Sequence, residues 1–432
     1  MNALKSPVEK APIETVVPDG RAWRVLCSST FAFTICFAVW MMFAILGIPL
    51  KKQLNLTDTE FGLIAAMPVL SGSLARVPLG IWTDRYGGRI VFFLTMLVTV
   101  VPIWLVSYAT QMWQFLVLGL LAGFAGASFS VGTPYVARWF PKSRQGLAMG
   151  IFGAGNSGAA LNKFVAPVLI VSAGTWTIVP KVYSVAMLVT ALVFWIFSAS
   201  NPSHRVAGST SVSTQMKVLS DPRVLRYAQY YSVVFGGYVG LSLWMPQYYV
   251  NEYGFNIELA AFLAACFSLP GGVLRAIGGW LSDRYGAYRT TWAVMWITLA
   301  CFFVLSYPPT DFVIQGAHGP LAFHLGSGPT FYTVVMFVVG IAMAVGKASV
   351  FKFIGDEYTD NIGAVSGVVG LAGGLAGFVL PILFGLLVDL TGVRSTCFML
   401  MFGTTAVSLV LMHYSFRPES VAHARARLES RA

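Results

Sequence analysis

Four basic residues stand inside long apolar runs of this 432-residue sequence: Arg76, Lys163, Arg275 and Lys347. The 17 carboxylates and five histidines all fall in polar segments or at the ends of those runs. If the runs cross a bilayer, each buried guanidinium costs several kcal/mol unless it is compensated. Arg76 precedes Asp84, which ends its run, by eight residues, and Arg275 precedes Asp283 by the same count. At about 1.5 Å per residue both sit about 12 Å into a hydrocarbon layer about 30 Å thick, near its middle. No acidic side chain of the sequence reaches that depth. An anion held between the two arginines is the simplest source of the missing negative charge. A guanidinium suits a planar oxyanion, because its fork of donors bonds two oxygens at once and stays charged at every relevant pH. The competing reading is that each arginine caps carbonyls of a broken helix, or faces a wet cavity with water or chloride.

Other residues group around this pair. Asn156 lies in the glycine-rich run GLAMGIFGAGNSGAALNKF, where a neutral amide can donate to an oxyanion or bond a neighbouring helix. Lys163 follows it by seven residues, on the same helix face. Lys347, in GKASVFKF, is placed where its amine could snorkel. A buried lysine, unlike arginine, can release its proton near neutral pH, so either amine could couple proton movement to anion movement, or serve only structure and field. Asp84-Arg85 and Asp283-Arg284 stand at run ends beside glycines. We read them as charge contacts that close the cytoplasmic side, against the alternative of topology-setting charge.

The whole chain supports a membrane setting. It is 56% hydrophobic and 10% charged, with a mean hydropathy of +0.72. A soluble domain carries about 25% charged residues, so a soluble enzyme is excluded. Runs long enough to cross hydrocarbon lie near 25–50, 60–81, 90–108, 113–135, 146–171 and 178–199. Six more lie near 225–250, 259–280, 290–307, 329–350, 363–388 and 393–414. The expected fold is an all-α polytopic membrane protein with twelve transmembrane helices in two six-helix bundles. The divisions are a tail over 1–24, a bundle over 25–199, a Ser/Thr/Pro-rich linker over 200–224, a second bundle over 225–414 and a tail over 415–432. The stretch 308–328 reads as a polar loop. The polar start lacks the pattern of a cleaved secretory signal, so the first run is expected to stay as a span.

With twelve spans, 20 of the 28 basic residues fall on the side of the termini and four on the other, which places both termini in the cytoplasm. The net charge of +11 is then topology and attraction to anionic lipid, with no nucleic acid required. Cys27, Cys36, Cys266, Cys301 and Cys397 lie in or beside apolar runs without metal-ligand spacing. No metal or cofactor is expected, and a monomer is.

The two halves repeat. LARVPLGIWTDRYGGR and VLRAIGGWLSDRYGAYR align Arg76 with Arg275, Gly80 with Gly279, and Asp84-Arg85-Tyr86-Gly87 with Asp283-Arg284-Tyr285-Gly286, all at an offset of 199. Parallel six-span repeats describe a carrier with its site between the halves at mid-depth. Gly146, Gly150 and Gly153 likewise match Gly363, Gly367 and Gly370. Small residues at this spacing let helices approach closely and give a smooth face for rocking.

The GIWTDRYGGR and GWLSDRYGAYR loops resemble the signature of the major facilitator superfamily, with Gly88 standing where a second basic residue is common. GIFGAGNSG and GVVGLAGGLAG resemble the paired signature segments of its nitrate/nitrite porter family, with Gly155 and Gly373 among their glycines. The likeness spans nearly all runs and omits the extreme N-terminus, 200–224 and the C-terminal tail. It implies a secondary active transporter of nitrate, and of nitrite, working by alternating access. It carries the substrate-clamping arginines onto Arg76 and Arg275, and the signature asparagine onto Asn156. The fourth-span aromatic falls on Phe129, in GASFSVG, and the seventh-span pair on Tyr231 and Phe235.

Charge balance bounds the mechanism. Moving one anion into a negative-inside cell costs about 2.3 kcal/mol per 100 mV. Exchange with internal nitrite cancels that cost, whereas symport needs at least two protons per nitrate. The lack of a mid-membrane carboxylate favours exchange, and Lys163 with Lys347 resembles the proton-coupled branch. We take proton-linked nitrate import as the leading expectation and nitrate/nitrite antiport as its alternative. A carrier for a larger anion would need more polar groups than this centre offers. A sensor would normally need an output domain. A membrane enzyme would need in-span histidine pairs, a metal cluster or a nucleophile triad.

Overall fold

The computed structural model describes residues 20–200, 221–358 and 362–429. Residues 1–19 of the expected 1–24 tail and most of the 200–224 linker lie outside the described residues. Among the described residues twelve helical columns follow one another. Spans 1 to 4 are Gly20–Leu54, Asp58–Tyr86, Gly88–Val106 and Met112–Ala137. Span 5 covers 142–173 and span 6 is Ile178–Phe197. Span 7 covers 222–253, and span 8 joins Ile257–Val273 to Arg275–Tyr285 through a 48° bend. Spans 9 to 12 are Ala287–Ser306, Pro329–Glu357, Ile362–Thr391 and Thr396–Glu429. Among the described residues nine columns are long and apolar enough by themselves to cross a membrane, and the bent pair makes ten. The other two, spans 5 and 7, carry more polar residues.

Local chemistry sets the ends. Thr57 and Glu60 form a capping box at the start of span 2. Asn256 caps span 8, and Asp221 caps span 7 just before Pro222. Both Asp-Arg-Tyr-Gly turns end on a glycine with positive φ, 90° at Gly87 and 86° at Gly286, a conformation that side chains disfavour. The repeat therefore reproduces a backbone turn as well as a charge pattern.

Spans 3, 6, 9 and 12 present large exposed apolar side chains, including Val98, Ile196, Phe303 and Tyr414, as a lipid-facing surface requires. Spans 1 and 7 are the most enclosed. The bundles meet where span 2 packs along span 11, span 5 along span 8, and the second half of span 1 along span 7.

Three features differ from the sequence expectation. The first helix begins at Gly20, and the last runs on to Glu429. The loop over 308–328 contains an antiparallel hairpin, Thr310–Gly316 paired with Gly319–Leu325. Its alternating apolar residues, Val313 and Phe323 among them, stay exposed, so burial gave no signal for it.

Candidate functional site

The six residues expected to bind substrate each stand at or beside an irregularity in their column. Arg76 follows a break at Ala75, and Arg275 follows the bend at Leu274. Asn156 lies in a 3₁₀ stretch, Ala154–Ser157. A second 3₁₀ stretch, Gly123–Ala127, ends two residues before Phe129. Phe235 lies in a π-helical turn, Ser232–Gly236. Such irregularities re-aim side chains and free backbone groups, which is why they gather at functional sites.

These residues converge. Arg76, Phe129, Asn156, Tyr231, Phe235 and Arg275 line one small cavity together with Phe33, Phe37 and Gly126. Its volume is about 10 Å³, near the minimum room for one water. The site is thus drawn closed around its arginines. Arg76 is 9% exposed. Its Nη1 donates to the carbonyl oxygen of Gly370 at 2.8 Å, while its Nε is buried without a hydrogen-bond partner among the described residues. The Asn156 Nδ2 is likewise buried without a partner. Neither arginine forms an ion pair among the described residues.

Aromatic faces take the place of counter-ions. The Arg76 guanidinium carbon lies 5.1 Å from the Phe235 ring centre and 5.8 Å from that of Trp40. Arg275 lies 5.2 Å from Phe129 and 5.4 Å from Phe351. Cation–π attraction offsets part of a desolvation cost without cancelling the charge. Tyr231 and Phe235 are stacked 5.1 Å apart. The cavity therefore offers two cations, idle N–H donors and flat rings, a set suited to a small planar anion.

The glycine runs lie against the arginines in a crossed arrangement. A methyl added at Gly153 in span 5 would meet Cδ of Arg275 at 3.4 Å, and one at Gly150 would meet Ala276 at 3.2 Å. In span 11, Gly370 bonds Arg76, and a methyl at Gly373 would collide with the Tyr231 ring at 2.5 Å. Gly155 backs onto Phe33. A methyl at Gly146 would meet nothing within 4 Å. Gly363 and Gly367 fall within the span 11 helix.

The two aspartates singled out for a gate make charge contacts between helices, each inside its own bundle. Asp84 pairs with Arg138 of span 4, and Asp283 with Lys352 of span 10 at 3.2 Å. Both pairs lie within one bundle. Arg85 lies over Tyr86, and Arg284 lies over Trp280 and Tyr285. A carboxylate contact joins the bundles at the opposite end. There Asp389 of span 11 accepts from the backbone N–H groups of Asp58 and Thr59, at 3.0 and 2.8 Å, and from the Thr59 hydroxyl. Lys51 pairs with Asp58 beside it.

Lys163 and Lys347 are both buried and outside the cavity. Lys163 donates to the Ser268 hydroxyl at 2.6 Å, and Lys347 to the Gly271 carbonyl at 2.6 Å.

Sequence reasoning missed Phe33, Phe37, Trp40 and Phe351. The repeat carried a signal for two of them, since Phe33 and Phe37 precede Tyr231 and Phe235 by 198 residues each.

Two helical bundles around a closed, cationic, aromatic-walled cavity define a membrane carrier rather than an enzyme. A family model of the Major Facilitator Superfamily matches residues 29–331. The chain is 40% identical over 419 residues to the probable nitrate/nitrite antiporter NarK1 of Thermus thermophilus, covering 94% of each. It is 29% identical over 384 residues to the nitrite extrusion protein of Bacillus subtilis (strain 168), covering 89% of this chain and 92% of that one. A crystal structure of a bacterial homolog to the human lysosomal transporter Spinster shares the fold, with a TM-score of 0.69 at 13% identity, covering 91% and 96%. The chain belongs to the Major Facilitator Superfamily and, within it, to the nitrate/nitrite porter family.

Proposed function

We propose that this protein carries nitrate, with nitrite as a second substrate, across the cytoplasmic membrane by alternating access. One observation carries the reading. Arg76 and Arg275, one from each bundle, flank a single cavity without a carboxylate partner, beside the idle donors Arg76 Nε and Asn156 Nδ2. A bound planar anion satisfies those donors and lies flat between Phe129 on one side and Tyr231 and Phe235 on the other. The names of the relatives support the choice of anion. The anion draws both bundles together through its oxygens, so binding favours closure. The Gly146–Gly155 and Gly363–Gly373 tracks give the faces on which the bundles rock. Asp84, Arg85, Asp283 and Arg284 brace each bundle at the cytoplasmic end, where the basic residues place both termini. The carrier works as a monomer.

Proton-coupled import is the leading direction, with Lys163 and Lys347 as the coupling groups. Antiport of nitrate against nitrite is the second reading, favoured by the absence of any carboxylate from the cavity lining. Uptake of labelled nitrate into proteoliposomes tests the assignment. Wild type accumulates the label, and Arg76→Ala and Arg275→Ala each abolish it. Uptake that survives both substitutions rejects the site.

A further inference from the structure

The second bundle carries a groove that the carriage of an anion leaves unused. It lies between the short half of span 8, Arg275–Tyr285, and spans 9 and 10, with a volume of about 440 Å³. Leu281 and Tyr285 line it from span 8, Ala293 and Ile297 from span 9, and Val338 and Ala342 from span 10. Tyr285, Ile297 and Val338 are exposed, so the groove opens to the surroundings of the bundle. Arg289 stands at one end of it, just past the Asp-Arg-Tyr-Gly turn.

The internal repeat shows why the space exists. The offset that aligns the two halves sets Leu94 at the place of Ala293 and Trp82 at the place of Leu281. The second half thus has the smaller side chain at both positions, and a close-packed surface turns such a difference into room.

The charges differ between the halves as well. Ile90 stands at the place of Arg289. Its neighbour Arg89 is committed inside the first bundle. It donates to the Trp195 carbonyl at 2.6 Å and to the Ser198 hydroxyl at 3.2 Å, and it lies 4.2 Å from the centre of the Trp195 ring. Arg289 forms no ion pair among the described residues. The nearby Asp283 is paired with Lys352. A second cation, Arg284, lies over the Tyr285 ring at the same end.

We propose that this groove seats an anionic phospholipid, with an acyl chain between spans 8, 9 and 10 and its phosphate on Arg289. Length, polarity and charge each support this occupant. Arg289 and Ile297 are about 12 Å apart along span 9, and one leaflet of hydrocarbon is about 15 Å deep. The groove therefore crosses most of one leaflet with its cation at the rim. Water has little to bond there, because the Thr290 hydroxyl already donates to the Gly286 carbonyl at 2.9 Å and the deeper walls are apolar. The basic residues place this end on the cytoplasmic side, where the leaflet is anionic. A guanidinium at the mouth of a groove between helices suits a lipid phosphate. The seat does not depend on which anion the carrier moves.

The test uses the full-length protein in phosphatidylcholine vesicles that contain phosphatidylglycerol with a photoactivatable group on its acyl chain. Illumination and peptide mass spectrometry should place the label within 293–297 and 338–342. Arg289→Gln, a change at an exposed side chain, should lower that labelling about fivefold. Arg289→Lys, which keeps the charge, should retain most of it. Ala293→Trp, which fills the groove, should lower it as far as Arg289→Gln does. Phosphatidylcholine carrying the same probe should label these residues weakly and ignore the Arg289 substitutions. Excess glycerol phosphate, which has no chains, should not compete. Equal labelling by the two lipids, or labelling by phosphatidylglycerol that Arg289→Gln leaves unchanged, overturns the proposal. So does label confined to other helices. Competition by glycerol phosphate overturns it in favour of a soluble phosphate at Arg289.

Discussion

The carbonyl oxygen of Gly370 accepts a hydrogen bond from Arg76 at 2.8 Å, across the interface between the two bundles. A glycine of the second half thereby holds the charged group of the first. The counterpart is Gly153, whose Cα faces the stem of Arg275 closely enough that an added methyl would touch its Cδ at 3.4 Å. The glycine tracks thus do more than let helices approach: each lies against the arginine of the opposite bundle.

Replacing Arg76 or Arg275 by lysine keeps the charge and removes the planar fork. Each substitution is expected to weaken nitrate binding at least tenfold, equivalent to about 1.4 kcal/mol. Binding measured on purified protein checks this, and unchanged affinity in both variants would show that charge alone suffices.

Asn156 supplies a neutral donor beside two cations. Asn156→Ala should raise the concentration for half-maximal uptake about 13- to 160-fold, the loss of roughly 1.5–3 kcal/mol expected for one hydrogen bond to a charged group. Asn156→Asp places a fixed negative charge near the arginines and should abolish uptake, because it competes with the substrate. Concentration dependence of uptake separates the two outcomes.

Two glycines of the same signature should respond in opposite ways. Gly373→Ala drives a methyl into the Tyr231 ring and is expected to cut uptake more than about tenfold, by displacing a cavity wall. Gly146→Ala meets open space and should change uptake less than about twofold, with a slight gain in helix stability. Paired uptake and thermal-stability measurements test both.

Asp389 fastens span 11 to the start of span 2. Asp389→Ala leaves the Asp58 and Thr59 N–H groups without that acceptor and should shift the carrier toward the state open at this end by at least about tenfold, the equivalent of roughly 1.5 kcal/mol for one charge-assisted bond. Spin labels at Glu60 and Leu390 report the change as a longer distance population. An unchanged distribution would count against a latch.

The sequence made the arginine pair and the twelve runs legible, because apolar length, charge placement and an internal repeat are one-dimensional signals. Phe33 and Phe37 were within reach of the same repeat and were passed over, because phenylalanine is common in every span. The partners of Asp84 and Asp283 were not legible. Arg138 and Lys352 lie far along the chain, and nothing in their spacing marks them. The Asp389 contact was hidden for another reason, since two of its donors are backbone N–H groups that every residue but proline owns. The π-helical turn at Ser232–Gly236 and the two 3₁₀ stretches are set by tertiary packing and leave no periodicity to read.

The joints in spans 2, 4, 5, 7 and 8 all flank the cavity. A column hinged at its middle need not tip like a rigid log. Its lower half can swing aside while its upper half keeps its seal, so the guest can be released by segments bending in turn, with far less lipid displaced than a whole-barrel tilt would demand.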